Sequence, residues 1–237
     1  MNPRSMRKRL EDMCGGMPVM PLVVLFLLFF FDEFDTAAFN VLAPNIQEAF
    51  HLTDKAFGFI VILNLTIVLL AAVPIGYYGD RLPRRKLILT GAIIAGVFSF
   101  LTGLAPAIGA LVLVRMGNGF GRLMNDSIHV SLLSDYYKPE DRPRIFATHR
   151  NAVYFGTIAG SASAGILASL WNWRVAFAVL VVPIVVTALV GATKLVEPVR
   201  GGVQLERAAV GGGLLDDGLH VDRVAIAATD LPTVRMV

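Results

Sequence analysis

The sequence predicts an all-α membrane protein built as a six-transmembrane-helix bundle. Three observations carry this prediction. The chain is 55% hydrophobic and only 16% charged, where an average soluble domain is about 25% charged. Its mean hydropathy of +0.65 points the same way. Six stretches approach the length a membrane helix needs, about 20 mostly apolar residues. The basic residues fall in short clusters that alternate between the connections of those stretches, which is how membrane topology is written in sequence.

The spans read as follows. The first runs from Val19 to Pro44, the second from Ala56 to Tyr78, and the third from Leu87 to Ala105. The fourth runs from Ile108 to Tyr136, the fifth from Ile145 to Leu170, and the sixth from Val175 to Leu195. The third and sixth are the clearest, because no Asp, Glu, Lys or Arg occurs from Leu87 to Val114 or from Val175 to Thr193. The first and fourth contain charges and are placed partly by context. A basic segment before Val19–Phe31 has the outline of a signal peptide, but Asp32, Glu33 and Asp35 follow at once and the apolar sequence then resumes, so a retained first span is expected.

Loop charge sets the orientation. The N-terminal segment 1–18 carries Arg4, Arg7, Lys8 and Arg9. The connection after the second span carries Arg81, Arg84, Arg85 and Lys86, and the one after the fourth, with the start of the fifth, carries Lys138, Arg142, Arg144 and Arg150. The alternate connections hold only Lys55 and Arg174. Both termini are therefore expected in the cytoplasm, with the protein in the plasma (inner) membrane. Residues 199–237 hold Gly201-Gly202, Gly211-Gly212-Gly213 and the acids Asp216, Asp217 and Asp222, with no long apolar run, and read as a flexible cytoplasmic tail.

Several function classes drop out. The clustered basic residues argue against a nucleic-acid partner despite a pI near 9.2. The single cysteine, Cys14, allows no intrachain disulfide, and no metal cluster or cofactor is expected. Phosphate loop, zinc-protease and nucleophile-elbow motifs are missing, so enzymatic chemistry is not expected.

The connection after the second span reads Gly76-Tyr77-Tyr78-Gly79-Asp80-Arg81-Leu82-Pro83-Arg84-Arg85-Lys86. It resembles the signature of the major facilitator superfamily at Gly76, Asp80, Arg81, Arg84 and Arg85. Pro83 stands where the family usually has Gly, and Tyr78 where it usually has an aliphatic residue. A Gly suits a tight reversal, an Asp suits the positive end of the next helix, and an adjacent Arg can pair with it and lock one state of a gate. Further segments are similar to the family: Arg115, Gly119 and Gly121 in the fourth span, Pro139-Glu140-Asp141-Arg142 with Arg144 after it, and Trp173-Arg174-Val175-Ala176-Phe177 at the sixth. The resemblance covers residues 19–198, and the acidic loop adds a weaker likeness to Spinster-like members. A drug-antiporter pattern is absent in the fifth span, where Gly156, Gly160 and Gly165 remain without a following proline.

The resemblance implies the N-terminal half of a transporter, two inverted three-helix repeats with a central cavity lined by the first, second, fourth and fifth spans. Charges inside a bilayer are costly and mark ion or substrate paths. In the fourth span Arg115, Asn118, Arg122, Asn125, Asp126 and His129 recur at intervals of three and four and form one polar stripe, with Arg122 and Asp126 spaced to pair along the helix. In the first span Asp32, Asp35, Thr36 and Asn40 form another, with Glu33 beside it, and Asn64 sits in the middle of the second. One reading is a translocation path in which Asp32, Glu33 or Asp35 loads a proton and Arg115 or Arg122 binds an anionic group. The other is structural ion pairing between the first and fourth spans. Gly156 and Gly160, extended by Ala164, allow close helix packing, as do Gly119 and Gly121. The expected function is secondary active transport of a small solute by alternating access, with a proton as candidate coupling ion. The expected partners are the lipid bilayer and a second six-helix half or a homodimer partner. The alternatives are a non-transporting membrane subunit or scaffold, or a fragment inactive alone.

Overall fold

A computed structural model describes residues 14–197, with the side chains of residues 78–80, 127 and 180 left undescribed. The predicted tail at 199–237 and most of the N-terminal segment lie outside the described residues. Among the described residues all regular structure is helical. The helices are α1 (Met20–Val41), α2 (Ala43–Ala49), α3 (Asp54–Arg81), α4 (Arg84–Leu104), α5 (Ile108–Tyr136), α6 (Arg142–Leu170) and α7 (Trp173–Lys194). The long helices α1 and α3 to α7 are the six expected spans. By length and composition alone, α3, α4, α6 and α7 qualify as membrane-crossing helices. α1 and α5 fall short because they carry the charged stripes.

The ends of the spans have local causes. The first span does not continue straight to Pro44. Pro44 supplies no N–H to the preceding turn, so α1 stops at Val41 and α2 begins as a separate short helix. Thr53 Oγ1 accepts the Ala56 N–H (3.3 Å) and starts α3 earlier than the apolar run implies. α3 then continues through Arg81 until Pro83 stops it. Arg142 closes α5, donating to the carbonyls of Ser134 (2.7 Å) and Tyr137 (3.1 Å). Arg174 does the same for α4 through Gly103 (3.1 Å) and Ala105 (2.7 Å). In both cases a guanidinium meets the negative end of a helix dipole.

α1 packs mainly on α6 and also on α7; α4 lies between α5 and α7; α3 rests chiefly on α5. The α1–α6 contact depends on small residues. A Cβ added at Gly156 would come 2.5 Å from the Phe30 carbonyl oxygen, and one at Gly160 would come 2.5 Å from that of Phe34. Ala164, one turn on, is fully buried in the same apolar cluster as Ala38. In α5, Gly121 faces the α4 backbone at Gly91 and Ala95, and Gly119 faces Val68 and Asn64 of α3.

Two apolar clusters hold the bundle. One, at the end with the basic connections, contains Leu22, Leu25, Ile88, Leu132, Tyr137 and Ile145. The other, at the opposite end, contains Leu42, Ile46, Leu111, Trp173 and Phe177. The layer between them holds the polar residues of α1 and α5. The packing makes a direct prediction. Gly160→Ala should destabilise the bundle by about 1–3 kcal/mol through overpacking, whereas Gly165→Ala, with nothing within 4 Å of the new carbon, should not. Thermal unfolding in detergent measures both; equal melting temperatures would refute the close approach.

Candidate functional site

The site begins with Asp32, Glu33 and Asp35 in α1 and with Arg115, Arg122 and Asn125 in α5. Asp35, 2% exposed, accepts from Arg115 Nη1 at 2.8 Å and also from the Ser99 hydroxyl of α4. Arg115 lies over the ring of Phe39, 4.1 Å from its centroid. One step along the helices, Arg122 Nη2 donates to Glu33 Oε1 at 3.1 Å, and Nη1 donates to Thr36 Oγ1. Among the described residues, the Asp32 carboxylate accepts only from the amide of Asn125, at 3.0 Å, while its backbone carbonyl accepts from Thr36 Oγ1. The two stripes therefore face each other as a seam of alternating charge. Desolvating each ion costs several kcal/mol, offset only where partners are close and hydrogen-bonded.

This differs from the predicted arrangement in identifiable ways. Arg122 forms its ion pair with Glu33 of the neighbouring helix rather than with Asp126 of its own, because α1 brings a carboxylate to its guanidinium. Asn118 turns away from the seam and donates to the Ala95 carbonyl of α4 at 3.0 Å. Asn40 is exposed at the end of α1, apart from the pairs. Asn64 is half-buried, and its Nδ2 has no hydrogen-bond partner among the described residues. It lies beside Gly119, where a Cβ would come 3.5 Å from Asn64 Oδ1.

A cavity of about 330 Å³ opens between α1, α5 and α6, lined by Phe29, Asp126, His129, Val130, Phe146, His149 and Arg150. Of the predicted path residues only Asp126 lines it, and α3 takes no part. The ion pairs fill the seam itself, and α3 lies against another side of α5. His129, read as a member of the fourth-span stripe, is paired: its Nδ1 lies 3.1 Å from His149 Nε2, one ring donating and the other accepting. The His149 ring stacks on Phe29 with centroids 4.9 Å apart and planes 3° from parallel. Sequence reasoning passed over His149. Its spacing of seven residues before Gly156 places it two turns along the same face that packs on α1, and that was the available signal.

The basic connection also differs. Gly76 sits inside α3 with open space around it and makes no tight reversal. Asp80 lies in the last turn of α3, at the negative end of that helix, not at the start of the next; its side chain is outside the described residues. Arg81 lies over the ring of Tyr77 at 3.9 Å. Arg84 forms an ion pair with Asp135 of α5, and Arg85 donates to the Ala192 carbonyl of α7. The positive end of α4 is capped by Glu197, whose two carboxylate oxygens accept the N–H groups of Arg84 and Arg85, each at 2.8 Å. This cap was not anticipated, because it joins residues more than a hundred positions apart.

The family sequence model described as Major Facilitator Superfamily matches residues 25–223. The chain is 28% identical over 179 residues to the Lincomycin resistance protein of Streptomyces lincolnensis, covering 74% of this chain and 36% of that protein. It is 27% identical over 208 residues to Protein spinster homolog 1 of Homo sapiens, covering 83% of this chain and 38% of that protein. The chain thus spans little more than a third of the length of these relatives. Among solved structures, it matches a bacterial homolog of the human lysosomal transporter Spinster in an inward-facing and occupied conformation. That match has a TM-score of 0.73 at 24% identity, covering 79% of this chain and 46% of that one.

The seam's geometry makes its own prediction. Arg115→Leu leaves Asp35 buried without its counter-ion and should cost about 3–5 kcal/mol, whereas the double variant Arg115→Leu/Asp35→Leu should regain most of that loss. Melting temperatures of the purified chain read both, and additive losses in the double variant would refute the pairing.

Proposed function

The chain belongs to the Major Facilitator Superfamily, and on that premise we propose that it is a secondary transporter, or the N-terminal half of one, moving a small solute by alternating access. The observation that carries this reading is the seam of charge between α1 and α5. A bundle that served only as a scaffold would be no less stable with apolar residues there. Two guanidiniums and three carboxylates in the layer between the apolar clusters supply partners that a solute or ion can exchange. The Arg122–Glu33 pair, with side chains 20% and 19% exposed, is the more open of the two ion pairs and the first that a solute would meet. The deeper Asp35–Arg115 pair ties the helices together beneath it. A proton is the coupling ion this set of carboxylates supports.

The chain is an integral membrane protein, and in this reading its basic connections face the cytoplasm across the plasma membrane. The connection at Gly76, Asp80, Arg81, Arg84 and Arg85 acts as the gate. Arg84 and Arg85 are anchored to α5 and α7, so a movement of α3 is felt by the helix that carries the seam. The second wall of the path comes from another six-helix half or a second copy. α3 is the face offered to that partner, since it presents Phe59, Ile62, Leu69 and Val73 outward while resting chiefly on α5.

In proteoliposomes containing the assembled protein, Arg122→Ala should lower solute flux about tenfold or more, the worth of one charge-assisted hydrogen bond. Asp80→Asn should lower flux with the amount of protein in the membrane unchanged. Wild-type flux in both variants would sink the reading.

A further inference from the structure

Resting on the transporter reading, we propose that Asp32, rather than the arginine-paired Asp35 or Glu33, is the carboxylate of the seam that binds and releases a proton. Away from the helix ends, α1 contributes Asp32, Glu33 and Asp35; α5 contributes Arg115, Arg122 and Asp126; α6 contributes Arg150. α3 carries no charged residue from Ala56 to Gly79, α4 none after Lys86, and α7 none from Val175 to Thr193. Carboxylates exceed guanidiniums by one; among the described residues Asp32 and Asp126 both lack an arginine partner, and burial separates the two. Asp35 has Arg115, and Glu33 has Arg122. Asp126 and Arg150 line the same cavity and are both exposed. Asp32 is 5% exposed, and among the described residues its carboxylate has only a neutral amide. The charges that face it are Arg122, already bonded to Glu33 and Thr36, and two like charges, Asp126 and Asp35. The imidazoles of His129 and His149 bond to each other.

The amide provides a second observation. Asn125 Nδ2 donates to Asp32, but Asn125 Oδ1 is buried with no hydrogen-bond partner among the described residues. A carboxylate accepts only and cannot satisfy that oxygen; a carboxylic acid has an O–H to offer. With a proton on Asp32, acid and amide can pair reciprocally, the carboxyl oxygen accepting from Nδ2 and the hydroxyl donating to Oδ1. The step is proton binding alone: one O–H bond forms on Asp32, nothing is oxidised, and the buried negative charge is removed. The cavity lies one turn away, since Phe29 precedes Asp32 by three residues and His129 follows Asn125 by four, and both residues line it.

The test is infrared difference spectroscopy of the full chain in lipid, titrated with acid and base. The C=O stretch of a protonated carboxyl group stands apart from the amide and carboxylate bands. The expected result is one such band that follows pH, is lost in Asp32→Asn, and survives in Asp35→Asn and Glu33→Gln. Asn125→Ala should leave the band present but shifted, because the C=O loses its donor. If Asp35→Asn fails to fold, Glu33→Gln and Asn125→Ala still decide the matter. A band that persists in Asp32→Asn, or no pH-dependent carboxyl band in the wild-type chain, would overturn the assignment. The spectrum needs no solute flux. Flux with no Asp32 band would defeat this proposal and leave the transporter reading standing; an Asp32 band without flux from the assembled protein would do the reverse.

Discussion

The Asp35–Arg115 ion pair is the interaction on which the rest of the bundle depends. It sits between two apolar clusters that keep water from it. In such a layer an unpaired charge is intolerable, and a paired one is strongly directional. The pair therefore fixes how far α1 and α5 can rotate relative to each other. That rotation in turn places Glu33 opposite Arg122 and Asp32 opposite Asn125. Ser99 extends the same constraint to α4.

The close helix contacts make this geometry possible. Gly156 and Gly160 bring the α1 backbone against α6, and Gly121 brings α5 against α4. With those distances set by backbone contact, side chains across the α1–α5 seam can meet at hydrogen-bond length. At the basic end, Glu197, Arg84, Arg85 and Asp135 connect the ends of α4, α5 and α7. The seam and this network share α5, so a displacement at one is transmitted to the other through a single rigid helix.

Much of the fold was legible because membrane helices are written in long apolar runs and in alternating loop charge. All six long helices fall where the hydropathy places them, and α5 has the predicted ends. Helix ends that depend on a proline or a side-chain cap were less legible: α1 breaks near Pro44, and α3 runs on to Arg81. The residue types of the seam were visible as stripes, but the partners were not. Arg122 has Asp126 at the right spacing on its own helix and Glu33 across the interface. Only the rotation of α1 against α5 decides between them, and no local pattern encodes that rotation. His149 and Glu197 were missed for the same reason, since each acquires its role from a residue far away in the chain.

The central claim is that the seam belongs to a path that opens to each side of the membrane in turn. Cys14 is the chain's single cysteine, so a Cys14→Ser background leaves one engineered thiol in this chain to follow. Thr36→Cys places that thiol beside Arg122. Labelling it with a charged, membrane-impermeant thiol reagent, applied to the assembled protein in liposomes first from one face and then from the other, tests the claim most directly. Alternating access predicts reaction from both faces. Reaction from one face only, or from neither, would contradict it and leave the seam as packing.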